Sequence, residues 1–249
     1  MKEGEWRMRE GREMKIVGII PARGESKGIP NKNIKMLKGK PVIAWTIEHA
    51  LGSKYLDRII VSTDSKKIAN ISKKYGAEVV MRPKELAGDD SPIELTLRHV
   101  VSTLKEKEDY KVDIVVLMQA NVPVRKEGTI DEVVEKLISS KADSVMTVYE
   151  VNQRPEWMKR LKGERLIPYM RCNLYRRQDL PKLYIADGAV AAIKRKILMD
   201  TEGKVGVHEY LGRDIRAVIQ EPLSSIEIDR LSDFKLAEWV LSQRMEDEA

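Results

Sequence analysis

The chain has 249 residues, a formal net charge of +6 and a single cysteine. The length suits one large α/β domain or two small ones; one cysteine excludes an internal disulfide and makes a reducing cytoplasm the natural compartment. No apolar run is long enough to span a bilayer, and the basic residues are scattered among acidic ones, which favours a small polyanionic substrate over a nucleic-acid stripe.

Residues 1–13 are strongly charged, carry no apolar signal core and read as a frayed leader before one domain over 14–249. The apolar run 16–20, bounded by turn residues, predicts a buried first strand. It runs into a loop that gathers Arg23, Lys27 and Lys32 around Gly24 and Gly28. Glycine lets the backbone come close to a ligand, successive N–H groups in such a turn make an anion site, and three cations beside it point to a polyphosphate. The G-x-x-x-x-G-K-[ST] pattern is absent. Pro41 suits the first turn of a helix whose Val42, Ile43, Trp45, Thr46 and Ile47 crowd one side. A second strand over 58–64 follows, then a helix capped by Asp64 or Ser65 and running to Gly76, then a third strand over 78–81. This alternation argues for a parallel sheet with helices on both faces.

Residues 82–92 form a loop. Ser91 at its end is either the cap of a helix over 93–105, the preferred reading, or a ligand contact. The most apolar strand, 112–118, is expected at the sheet centre and delivers residues 119–125 to the carboxyl edge, where open α/β sheets bind ligands. A helix over 130–139 and a strand over 144–149 come next. Residues 152–184 then change character: many cations, Trp157 and no helical period, the mark of a functional or interface segment. A strand over 183–193, a last strand over 215–219 and a helix over 231–245 complete the chain. Before that helix, alternation in Ile226-Glu227-Ile228-Asp229 puts both carboxylates on one face; alone, such a pair reads as a solvated face or a cap. Cys172 has no histidine partner in sequence and reads as structural. His49, His99 and His208 are not spaced as metal ligands.

Several of these segments, in this order, carry a family likeness. Pro21-Ala22-Arg23-Gly24, Ser26-Lys27-Gly28 and Lys32-Asn33 resemble the opening motif of the acylneuraminate cytidylyltransferases. Residues 82–91 resemble that family's R-P-x-E-L-A-x-D stretch, and residues 119–125 its Q-P-T-S-P-L-R, matched at Gln119, Pro123 and Arg125. Residues 175–181 resemble R-R-Q-D-x-P, Asp187-Gly188-Ala189 resembles N-G-A, and residues 226–229 resemble I-D-I-D. Glu25, Asn121, Asp187, Ala191 and Glu227 are departures.

The resemblance implies an α/β, three-layer Rossmann-like nucleotide-diphospho-sugar transferase fold with a mostly parallel sheet and a protruding dimerisation arm at about 152–184. It implies that a hydroxyl of a nonulosonic (sialic-acid-like) acid attacks the α-phosphorus of CTP and releases pyrophosphate. Arg23, Lys27 and Lys32 are then the catalytic cations. Ala22, Arg23, Gly24, Lys27, Asn33 and Ser91 contact the nucleotide. Gln119, Arg177, Gln178 and Asp187 contact the acid, and Asp229 with Glu227 holds Mg²⁺ (or Mn²⁺). Family members are homodimers whose arm reaches over the partner's sugar site. Two alternatives remain at this stage. One is a glycosyltransferase of related fold, which would carry Asp-x-Asp where Ala120-Asn121 stands; the other is a non-catalytic nucleotide binder.

Overall fold

The computed structural model describes residues 8–9, 12–26, 28–88, 90–203 and 206–247. Seven strands make one sheet: β1 (Ile16–Pro21), β2 (Arg58–Thr63), β3 (Glu78–Met81), β4 (Ile114–Leu117), β5 (Ser144–Glu150), β6 (Tyr184–Lys194) and β7 (Ile215–Gln220). Their order across the sheet is β7-β5-β6-β4-β1-β2-β3. The pairs β1/β2, β2/β3, β1/β4 and β5/β7 are parallel, and β6 is antiparallel to both its neighbours. The sheet is mostly parallel, as expected, with one reversed strand next to its centre.

The six helices are α1 (Val42–Leu51), α2 (Lys66–Lys74), α3 (Ile93–Glu108), α4 (Thr129–Ser140), α5 (Arg195–Asp200) and α6 (Leu231–Asp247). The period of two along the strands divides them between the two faces. Ile16 and Ile20 of β1, with Val116 of β4, pack among Ile43 and Ile47 of α1, Ile68 of α2 and Val133 and Leu137 of α4. Val17 and Ile19, with Val115 and Leu117, pack among Leu97, Val100 and Leu104 of α3 and Leu198 of α5. Helices thus cover both faces, the expected three layers. A third, smaller core joins Ile29 from the loop after β1, Ile226 and Ile228, and Phe234, Ala237 and Leu241 of α6. It ties the two segments of opposite charge to one support.

Two local readings need correcting. The N-cap of helix α3 is Pro92, which makes no side-chain cap bond, and not Ser91. Pro92 takes the cap position, and Ser91 Oγ bonds to none of the first helical N–H groups. Residues 152–184 are not structureless. They hold a two-stranded hairpin, Lys159–Lys162 with Arg165–Pro168, and short 3₁₀ turns at Pro155–Trp157 and Arg177–Asp179. Within the charged leader, Met8–Arg9 pairs antiparallel with Arg12–Glu13. No described helix is long and apolar enough to cross a membrane.

Candidate active site

A cavity of about 640 Å³ opens at the carboxyl edge of the sheet, where the strand ends of an open α/β fold expose ligand sites. Pro21 and Gln119 to Asn121, at the ends of β1 and β4, form its base. Arg23, Lys32 and Asn33 line one side, and Glu227, Asp229 and Arg230 face them. Arg82, Leu86 to Gly88 and Ser91 complete its lining. The cations of the opening loop and the paired carboxylates, some two hundred residues apart in sequence, therefore share one space.

The opening loop is fixed by its own polar groups. Gly24 N donates to Asp64 Oδ1 at 2.9 Å, and the buried Asn33 donates from Nδ2 to Arg23 O at 3.2 Å. Ala22 is buried in the core and does not line the cavity. Glu25 is exposed and lines an adjoining cavity of about 540 Å³ together with Arg23 and Ser26. Lys27 lies outside the described residues. Gly28 permits a close approach: a Cβ there would stand 2.4 Å from Asp229 O.

The acidic segment follows the alternation read from its sequence. Ile226 and Ile228 are buried, and Glu227 and Asp229 face the cavity. Ile226 forms an antiparallel bridge with Val124, and Ile228 N donates to Asn121 O at 2.8 Å. Lys32 Nζ lies 2.8 Å from Asp229 Oδ1. Asn121 Nδ2 lies 3.3 Å from both Glu227 Oε1 and Asp229 Oδ1 and 3.2 Å from Ile228 O. Desolvation at the cavity wall, and then the Asp229 charge, hold the Glu227 carboxyl above its ordinary range. The described residues contain no group of three or more His, Cys, Asp and Glu suited to a metal. Two adjacent carboxylates are nonetheless a hard-oxygen donor set that fits Mg²⁺, an ion that takes one or two carboxylates and completes its shell with phosphate oxygens and water.

Two polar groups over the cavity have no protein partner among the described residues: Ser91 Oγ and Arg82 Nε, both buried. Arg82 anchors itself through Nη1 to Thr96 Oγ1 at 2.8 Å. Burial pulls its pKa down, and the Asp64 charge opposes that. Such orphaned donors need a ligand or water to satisfy them. Arg82 was visible in the sequence within the R-P-x-E-L-A likeness but was not singled out; its burial is what marks it.

Gln119 lines the cavity, and its carbonyl accepts from Arg125 Nη2 at 2.8 Å. Arg125 itself is 1% exposed. It donates to Ala189 O, Thr46 Oγ1 and Val122 O as well, clamping the turn after β4 to β6. Asp187 is also turned inward. Its Oδ1 accepts from Thr147 Oγ1 and from Ala189 N at 2.9 Å, and its Oδ2 from Gln220 Nε2 at 2.7 Å. It borders a separate cavity of about 320 Å³ that shares Glu227 with the main one. Gly188 sits between them at φ 71°, its missing Cβ 3.5 Å from Glu227 Oε2 and 3.6 Å from Gln119 Cγ. Arg177 and Gln178 lie on the arm, exposed, outside the main cavity; Arg177 Nη2 donates to Asn152 Oδ1. Cys172 Sγ accepts from Leu174 N at 3.3 Å within the arm. No histidine lines the main cavity.

Comparison with known proteins covers most of these segments. The description of the cytidylyltransferase family matches residues 17–227.

The chain belongs to that family.

This cytidylyltransferase-family chain is 33% identical over 227 residues, 90% of its length, to an N-acylneuraminate cytidylyltransferase of Escherichia coli O18:K1:H7, and spans about half (51%) of that relative. It is 31% identical over 236 residues to a CMP-N,N'-diacetyllegionaminic acid synthase of Legionella pneumophila, covering 94% of this chain and 99% of that one. Among solved structures, a CMP:2-keto-3-deoxy-manno-octonic acid synthetase complexed with CTP superimposes with a TM-score of 0.71 at 17% identity, over 92% of this chain and 99% of the other. That likeness is one of fold.

Proposed function

We propose that the protein is a cytidylyltransferase that joins a nonulosonic, sialic-acid-like sugar acid to CMP, using CTP and releasing pyrophosphate. The observation that carries this reading is the single cavity at the carboxyl edge of the sheet that Arg23, Lys32, Glu227 and Asp229 line together, with Lys32 in contact with Asp229. The likeness to an N-acylneuraminate cytidylyltransferase and a CMP-N,N'-diacetyllegionaminic acid synthase supports the substrate class.

The chemistry is in-line displacement at the α-phosphorus, which a protein accelerates mainly by positioning and charge stabilisation. Arg23, Lys32 and Lys27 neutralise the triphosphate and the charge that develops on the departing pyrophosphate. Ser91 Oγ and Arg82 Nε offer buried donors to the base or ribose. Gln119, held through its backbone by Arg125, presents its amide to the acid. Glu227 and Asp229 would hold Mg²⁺, which when bound supplies Lewis-acid charge next to the phosphate oxygens. Arg177 and Gln178 do not line their own cavity, and we assign them to the acid site of a second copy, reached by the arm. Arginine's planar fork suits a carboxylate there.

The deciding experiment is pyrophosphate release from CTP with Mg²⁺ and a panel of nonulosonic acids. Turnover with one or more of them is the expected result, and the best substrate names the acid. Tight CTP binding with no turnover across the panel would leave a nucleotide binder in its place.

A further inference from the structure

Asn121 belongs to the turn after β4, yet its side chain is engaged with the segment before α6. Its Nδ2 lies 3.3 Å from Glu227 Oε1, 3.2 Å from Ile228 O and 3.3 Å from Asp229 Oδ1. All three neighbours are acceptors, so the amide's orientation follows from chemistry: its nitrogen faces them and its oxygen does not. The two N–H groups are shared among three acceptors, which accounts for lengths at or just beyond the long end of the normal range. The backbone repeats the tie, since Ile228 N donates to Asn121 O at 2.8 Å. One residue thus grips three consecutive residues of the acidic segment.

The two carboxylates differ in what else holds them. Asp229 has the Lys32 ammonium at 2.8 Å and its backbone N–H bonded to Asp233 Oδ2 at 3.0 Å. Glu227 accepts no hydrogen bond from any described residue except Asn121. A glutamate has one more rotatable bond than an aspartate and loses more freedom when fixed. It also stands beside a like charge, which favours swinging away. A neutral donor touching both carboxylates lowers their repulsion without adding a cation that would compete with a metal.

We propose that Asn121 is the positioning residue that sets the spacing of Glu227 and Asp229 for a divalent cation, and that it is what allows a glutamate to serve at position 227. This rests on the metal role given to the pair above. Threonine would stand at 121, and aspartate at 227, if the chain followed the motifs it resembles; the contact makes these two departures one device.

The test is Mn²⁺ affinity, measured by electron paramagnetic resonance with CTP present and no acid, so that nothing turns over. Asn121→Ala should weaken Mn²⁺ binding roughly tenfold or more, the scale for removing a group that orients a metal ligand. The same change made in a Glu227→Asp background should cost clearly less, a non-additivity expected of residues in contact. Asn121→Thr, which keeps one donor, replaces the alanine if that variant folds poorly. The melting temperature of the metal-free proteins separates the alternative of a merely structural turn, which would lower stability and leave Mn²⁺ affinity unchanged. Unchanged affinity in Asn121→Ala, or an equal loss in both backgrounds, overturns the proposal. Asp229→Asn is the control: if it binds Mn²⁺ like the wild type, the metal reading of the acidic pair has failed, and not this tether alone.

Discussion

The cavity's opposite charges meet at two residues. Lys32 is the only described lysine that lines the main cavity, and its side chain is 15% exposed, so its charge is little screened by water. Lys32→Ala should lower the rate of pyrophosphate release by roughly a hundredfold or more, the scale for losing one stabilising donor, with an unchanged melting curve. Near-normal turnover would remove Lys32 from the chemistry. Gly28 acts by having no side chain. A methyl group there would meet the Asp229 carbonyl at 2.4 Å, and backbone cannot swing aside as the end of a long side chain can. Gly28→Ala should raise the Mg²⁺ concentration needed for half-maximal rate, because the segment carrying Asp229 must shift; an unchanged Mg²⁺ titration would show that the loop absorbs the methyl group. In the sequence, Lys32 and Gly28 stood out through the opening motif. Arg125 and Asp187 stood out equally, but neither periodicity nor motif tells a buried charge from one that faces a ligand. Arg125 donates to three carbonyls and a hydroxyl, and both Asp187 oxygens are occupied.

Strands and helices were legible wherever one face was continuously apolar. The bounds of β1 to β3, α3, α4 and α6 lie within a few residues of those read from sequence. Three features were not legible, for separate physical reasons. Helix α5 has six residues, too few to establish a period. The reversed direction of β6 depends on which strands flank it, a fact of topology with no local signature. The arm hairpin, with exposed Leu161 and Leu166, lacks the buried face that makes a strand readable, although Gly163 at φ 60° sits where a two-residue turn favours glycine. At this scale α1 makes its own prediction. His49, near its end, is held down to about 4 from an ordinary 6.5, first by burial and then by Arg125, Arg244 and Lys40. A folded-state value below the unfolded one means that the unfolded chain binds the proton first as pH falls. The neutral-histidine contribution to stability is full above pH 6.5 and is lost progressively towards pH 4. The melting temperature of His49→Gln should therefore fall less steeply over that window than that of the wild type. Parallel curves would mean that His49 titrates normally.

At the scale of the whole molecule, the arm is the least satisfied surface. Leu161 is 71% exposed, Tyr169 65% and Tyr175 91%, and apolar groups concentrated in one protrusion mark an interaction site. A closed two-fold dimer is the commonest way to cover such a surface, and it would also bring Arg177 to a second cavity. Sedimentation at micromolar concentration should show a dimer. Leu161→Glu with Leu166→Glu should shift it to monomer and raise KM for the acid more than KM for CTP, and a fully active monomer would reduce the arm to surface decoration. The way the arm is attached bears on how such a protein can change. β5 and β6 are antiparallel neighbours paired Glu150 with Tyr184, Tyr149 with Ile185 and Val148 with Ala186, so the arm leaves the sheet and returns to it through a single neck. Its length and composition can change without altering any register in the sheet or any residue of the loop after β1. A loop that enters and leaves through one neck tolerates changes of length and sequence more readily than the strands it joins.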